Sequence, residues 1–156
     1  MRKRVVRAVA HDRTPDERWW DLGRVAEVEL TSEDPAHPIE AALVPGPAPG
    51  WRAAEPGEQA IRLLFDQPQR LRRIWLRFEE PEAERTQEFV LRWSPDGGRS
   101  FRELVRQQYT FSPRGATSEV EDYHVDRSGV TALELRILPD QGRGQAYASL
   151  AEWRLA

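Results

Sequence analysis

Three histidines, a few serines in turns and a large stock of carboxylates are what this 156-residue chain offers for proton or acyl transfer, and their spacing assembles no active site. His11, His37 and His124 fall in three unrelated segments. None has a second His or a carboxylate at metal-ligand spacing on a recognisable element, which argues against a zinc or iron centre. Ser94 and Ser112 sit in turn contexts and lack the G-x-S-x-G surroundings of a nucleophile elbow. The carboxylates run as Glu79-Glu80, Glu82 and Glu84, and Glu119, Glu121 and Asp122, which is the pattern of a solvated face. Gly142-Arg143-Gly144 joins strand to strand and so opens no phosphate-cradling helix. A hydrolase would need a cleft joining His124 or His37 to a carboxylate of raised pKa, and the sequence ranks that reading last.

The remaining chemistry is that of recognition. Long loops carry aromatic, Arg and amide side chains at their ends: Arg85 and Gln87 close the segment 79–87, and Arg106, Gln107, Gln108 and Tyr109 run into Phe111-Ser112-Pro113-Arg114. Tyr123-His124 comes alongside from a neighbouring strand. Sugar rings offer an apolar face to aromatics and hydroxyls to forked polar groups, so these residue types suit them. The leading expectation is a non-catalytic module that binds a carbohydrate or similar polar ligand through His37, Arg85, Gln107, Tyr109 and Arg114. The alternative is a protein-interaction or assembly module, in which Trp19, Trp20, Trp75 and Trp153 form an apolar patch for a homodimer or partner.

The elements that must position these residues read as short alternating strands. The clearest punctuation is Ser94-Pro95-Asp96-Gly97-Gly98-Arg99-Ser100-Phe101, where Asp-Gly supplies the positive dihedral of a tight hairpin turn. Around it, strands are predicted over 25–31, 59–66, 71–79, 87–94, 101–111, 119–125, 130–138 and 146–155. Ile74, Leu76 and Phe78 share one face, as do Phe89, Leu91 and Trp93, and Leu133, Leu135 and Ile137; these triads are the predicted core. Thr14-Pro15-Asp16-Glu17 has the form of a capping box, predicting a short helix over 15–22 stopped by Gly23, with Trp19-Trp20 packed on the sheets. Prolines break the chain at 32–38, and 44–50 is a rigid Pro/Gly loop. The expected class is all-β, a sandwich or barrel, in one domain spanning 1–156 with 1–24 as an N-terminal extension.

Composition narrows the class further. A net charge of −3 with both signs interspersed produces no field that would draw nucleic acid or anionic lipid. Neither partner is therefore expected. Cysteine is absent, so nothing argues for an oxidising compartment, and no apolar run has the length of a signal peptide or membrane span. A cytoplasmic address is the expectation.

The order of landmarks resembles the discoidin domain, also called the coagulation-factor type C domain. It is carried by Thr31-Ser32-Glu33, by Ala42-Leu43 followed by a turn and Trp51-Arg52-Ala53, and by Gly57-Glu58-Gln59-Ala60-Ile61-Arg62-Leu63 ending in Phe65-Asp66. It continues through 71–78, Phe89-Val90-Leu91-Arg92-Trp93-Ser94 and Asp96-Gly97-Gly98, and closes on Ala148-Ser149-Leu150-Ala151-Glu152. The resemblance covers about residues 24–156. It implies an eight-stranded antiparallel jelly-roll β-sandwich of the galactose-binding type, normally a non-catalytic module that binds glycans, lipid headgroups or proteins through loops at one end. Many sugar-binding relatives hold a structural calcium with an Asp-Gly turn and a Glu in the last strand. Here the turn reads Val44-Pro45-Gly46, so although Glu152 matches the acid, calcium is disfavoured unless Asp34 and Glu40 replace the missing carboxylate. No other cofactor is implied. The loop tips carry Pro, Gly, Glu and Arg instead of apolar spikes, which disfavours membrane insertion.

Overall fold

Alternation at period two governs residues 59–155, and the computed structural model, which describes residues 19–47, 49–142 and 144–156, turns it into a sandwich. The elements in chain order are α1 (Leu22–Val25), β1 (Ala26–Leu30), α2 (Glu40–Leu43), β2 (Trp51–Arg52), β3 (Gln59–Glu79), β4 (Arg85–Ser94), β5 (Arg102–Phe111), β6 (Ser118–Leu138), β7 (Ser149–Leu150) and β8 (Glu152–Leu155). Every pairing between these strands is antiparallel. The fold is the all-β jelly roll that the family resemblance implied.

Two of the strands are twice as long as expected. Segments 59–66 and 71–79 are one strand, β3, and 119–125 and 130–138 are one strand, β6. They pair along almost their whole length, with register shifts between Leu64 and Arg73 where the ribbon bends. The first half of β3 and the second half of β6 belong to a layer ordered β1-β3-β6-β4-β5. Their other halves form the opposite layer, to which β8 adds by pairing Ile74–Arg77 of β3. The polar run Asp66–Arg70 has the composition of a loop, but it is the largely exposed bend of a continuous ribbon. The segment 146–155 divides instead, with Ala151 donating to the Arg77 carbonyl between β7 and β8.

The three predicted core triads are all buried. Phe78 of one layer meets Phe89 of the other with ring centroids 5.3 Å apart, fixing the layers face to face. Burial of this many Leu, Ile and Phe side chains, each contributing roughly 1.5–3 kcal/mol, is what drives closure. The octet at 94–101 does turn the chain, with Gly97 and Gly98 at φ 75° and 91°, but as a seven-residue loop and not a tight two-residue turn. Ser94 and Asp96 organise it: Ser94 Oγ accepts from the Asp96 and Gly98 amides, and Asp96 accepts from the Ser100 amide and hydroxyl. The Ser100 and Ser94 hydroxyls and the Ser100 amide lower the Asp96 carboxyl to about 2.

The capping box and the first half of the predicted helix, 15–18, lie outside the described residues, and of its second half only Leu22 is helical. Gly23 does not stop a helix; α1 runs through it. Trp20 packs edge-on against Phe65 at 5.5 Å, and Arg73 lies 4.9 Å over the Trp19 ring. Among the described residues no helix is long and apolar enough to cross a membrane.

Candidate functional site

The Pro-broken segment 31–38 cannot continue β1, so it folds back on β2 and is pinned there by backbone bonds: Asp34 N to Arg52 O at 2.8 Å and Arg52 N to His37 O at 3.1 Å. Strand β2 pairs with β7, placing Arg52 opposite Ser149. Gly50 permits this junction. Its φ is +92°, and a Cβ there would lie 2.6 Å from the Leu150 carbonyl oxygen, so no other residue fits without moving backbone. The loop after β3 joins the same end, through Glu80 N to Thr117 O at 2.8 Å. The loop after β6 joins it through Arg85 Nη1 to Pro139 O at 2.8 Å.

These connections enclose a concavity of 330 Å³ whose lining includes Arg52, Glu79, Glu80, Glu82, Arg85 and Tyr147. Tyr147 is 41% exposed, one of the few large apolar side chains on the surface. The Arg52 guanidinium sits 5.5 Å from its ring centroid. Glu79 pairs with Arg77, and Arg85 Nε donates to Glu80 at 2.8 Å. Burial works to raise the Glu80 carboxyl, but the Arg85 bond and the Glu82 and Ala83 amides outweigh it and hold Glu80 below its ordinary value. An exposed ring flanked by carboxylates and guanidiniums has the groups to stack one face of a polyhydroxylated ring and to bond its hydroxyls.

Behind this concavity a chain of polar side chains runs between the layers. Arg85, 4% exposed, donates to the Gln87 side chain at 3.1 Å and lies 4.7 Å over Phe111. Gln87 donates to Glu119 at 3.3 Å, and the Tyr123 hydroxyl donates to Glu121 at 2.8 Å. Arg85 Nη2 and Glu119 Oε2 are buried without a hydrogen-bond partner. Burial, and then the neighbouring Glu121, push the Glu119 carboxyl up to about 8. Burial and Glu121 also raise the Tyr123 phenol.

Of the five residues named from the sequence, Arg85 borders the concavity, and His37 lies outside its lining, accepting the Arg52 amide through its backbone carbonyl. Arg114 stands exposed in the loop after β5. Gln107 and Tyr109 lie along β5, where Tyr109 packs on Phe111 at 5.1 Å and its hydroxyl donates to Ser118 O. Arg52 and Tyr147 were missed. Their only signal was adjacency to strand ends that the two-residue pairing of β2 with β7 brings together, and two-residue strands have no legible period. The carboxylate of raised pKa, Glu119, faces inward while His124 faces outward from the same strand, so no cleft joins them. The four tryptophans do not form one patch: Trp153 is fully buried, while Trp19 and Trp20 line a separate concavity with Leu43 and Val44.

The residues present do not fit the calcium implied by the resemblance. Glu152 Oε1 accepts from Arg77 Nε at 3.1 Å and Nη2 at 2.6 Å, and its Oε2 meets Arg154 Nη2 at 3.3 Å. Arg154, 7% exposed, also donates to the Ala42 carbonyl at 2.7 Å, so a guanidinium bridges the last strand to α2. Asp34 is engaged by the Ala36 amide, and no group of three acids or histidines suited to a metal occurs among the described residues. Millimolar calcium or chelator is expected to leave the thermal midpoint unchanged, whereas Arg154→Met removes about 2 kcal/mol by leaving the Ala42 carbonyl unpaired. Calorimetry in both conditions checks it, and a midpoint raised by calcium would contradict it.

No family model matches the chain, and no curated protein sequence matches it. Solved structures do. A family-32 carbohydrate-binding module from a family 31 glycoside hydrolase of Clostridium perfringens superposes with a TM-score of 0.65 at 17% identity, covering 92% of this chain and 97% of that one. A second module of that organism, solved with GalNAc-β-1,3-galactose, gives 0.63 at 18% identity over 88% and 98%. A chitosan-binding module from a Paenibacillus sp. IK-5 chitosanase/glucanase gives 0.61 at 18% identity, again over 88% and 98%. At such identities the likeness is one of fold: this chain has the discoidin-like, galactose-binding-domain-like jelly roll of these modules.

Proposed function

We propose that the chain is a non-catalytic carbohydrate-binding module that holds a neutral sugar at its loop end, against Tyr147 and between Arg52 and the Glu80–Arg85 pair. The observation that carries this reading is the exposed Tyr147 ring with Arg52 at its face, bordering a concavity of the size of a small-ligand site. Charges there balance, with Glu79, Glu80 and Glu82 against Arg52, Arg77 and Arg85. Such a site offers donors and acceptors in equal measure, as hydroxyls require. The solved relatives support it, since one is in complex with a GalNAc–galactose disaccharide and another is named for chitosan. Arg85 serves mainly to hold Glu80, and His37 fixes the backbone under Arg52.

Titration calorimetry against galactose, N-acetylgalactosamine and chitosan oligomers tests this. Tyr147→Ala is expected to weaken the best ligand roughly tenfold, about 1.4 kcal/mol, with no change in the melting curve. A flat response of the wild type across neutral sugars would remove the proposal.

A further inference from the structure

The outward face of the five-stranded layer is built around a carboxylate that no solvated surface needs to bury. Glu134 lies on the outward row of β6, yet it is 0% exposed. Its cross-strand neighbours are Arg62 on β3 and Arg92 on β4, and Arg136 follows two residues along β6. All three guanidiniums converge on it: Arg62 Nε at 2.6 Å, Arg92 Nη2 at 2.6 Å and Arg136 Nε at 2.7 Å. Phe101 lies under two of them, 4.8 Å from Arg62 and 4.9 Å from Arg92. Three cations on one anion leave the cluster with a surplus of two positive charges. Arg62 and Arg136 each use only Nε, so among the described residues their terminal Nη groups meet no protein acceptor.

Next to the cluster, the register sets Arg136, Val90 and Arg106 in one row and Leu138, Glu88 and Gln108 in the next. All of these but Gln108 line, with Arg92, a concavity of 320 Å³ edged by Glu58. Its floor, Val90 and Leu138, is apolar. Glu88 accepts from the Gln108 and Gln141 amides and pairs with Arg106, so it is fixed in place. Terminal guanidinium nitrogens with no partner match a carboxylate in bidentate geometry, a fixed carboxylate beside an amide takes hydroxyls, and an apolar floor takes a ring face.

We infer that this sheet face is a second binding surface, for a carboxylate-bearing saccharide of the uronate type. Its uronate carboxylate lies on the free terminal nitrogens of Arg136, beside Arg92, whose Nε and Nη2 stay on Glu134, and its ring lies across Val90 and Leu138. The surface is independent of the loop-end reading, because it shares no residue with it and differs from it in charge.

The test is titration of the intact chain with a galacturonate oligomer, followed by calorimetry and by backbone amide shifts. Polyglutamate of matched charge and the reduced, neutral oligomer serve as controls. Galacturonate is expected to shift β4, β5 and β6 amides around Val90 and Arg136, to bind at least roughly tenfold more tightly than either control, and to weaken as salt rises. Arg136→Gln is expected to cut that affinity at least roughly tenfold, while Tyr147→Ala leaves it unchanged. Should Arg136→Gln fail to fold, Arg136→Lys, which keeps the charge but loses the fork, carries the same expectation. Equal binding of polyglutamate, shifts confined to the loop end, no binding, or full affinity in the folded variant would each overturn the inference, whatever neutral sugars do at Tyr147.

Discussion

Glu134→Ala is expected to lower folding stability by about 3 kcal/mol, read from the urea midpoint with the slope unchanged. The carboxylate is fully buried and accepts from three guanidiniums. Burial works to raise its pKa, but the bonds from Arg92, Arg62 and Arg136 outweigh it, and the carboxyl lies below its ordinary value. Removing it leaves three cations on one face with nothing between them. Their side chains are 35%, 28% and 39% exposed, so water and salt recover part of the loss, and the cost stays at the lower end of that for a broken buried pair. With the folded pKa depressed, the stabilisation is present above the unfolded value and is lost as pH falls through the folded one. The wild type should therefore approach the variant in acid. By contrast, Glu103→Ala, half exposed on the same face, should cost under about 0.5 kcal/mol. A loss at Glu134 no larger than at Glu103 would mean that the cluster is only surface decoration.

This carboxylate also marks where sequence reading succeeds and where it stops. Alternation placed Leu133, Leu135 and Ile137 inward correctly, because an inward row in a sandwich is apolar throughout and period two is visible in it. The same alternation put Arg62, Arg92, Glu134 and Arg136 outward, and outward charged residues read as solvated. Only the lateral register, Arg62 to Glu134 to Arg92 across three strands, gathers them into one cluster, and register between strands distant in sequence leaves no local signal. The loop end behaves similarly. Arg85 was legible as a loop-end cation, but its inward turn onto Phe111 and the Pro139 carbonyl depends on a loop 54 residues away. Tyr147 and Arg52 meet through a pairing of two residues on each side, too short to read. The bend in the β3–β6 ribbon has the composition of two loops because exposure, not turn formation, makes 66–70 polar.

Glu119 carries the other large effect, opposite in sign. Glu119→Gln is expected to stabilise the protein by roughly 3 kcal/mol above about pH 8 and to change little in acid, below the ordinary carboxylate range. The carboxyl is 2% exposed, faces Gln87 and Arg85 from β4 and Glu121 and Tyr123 from its own strand, and has one oxygen without a hydrogen-bond partner. Arg85 compensates it only weakly, since that guanidinium is already bonded to Glu80, Gln87 and Pro139 O. Burial and Glu121 raise its folded pKa to about 8 against an ordinary 4.5. Below the unfolded pKa both states hold the proton and no penalty exists. Between the two values the unfolded chain releases the proton while the folded one keeps it, so stability falls as pH rises, and above the folded pKa the full cost of a buried charge stands. The substituted amide keeps the shape of the carboxyl and can still accept from Gln87 through its carbonyl oxygen, but it never ionises. This position then contributes no slope to the variant's stability across that window, and the gap between variant and wild type should widen steadily with pH. Parallel profiles for the two proteins between about pH 5 and 9 would show that water or Arg85 already neutralises the group.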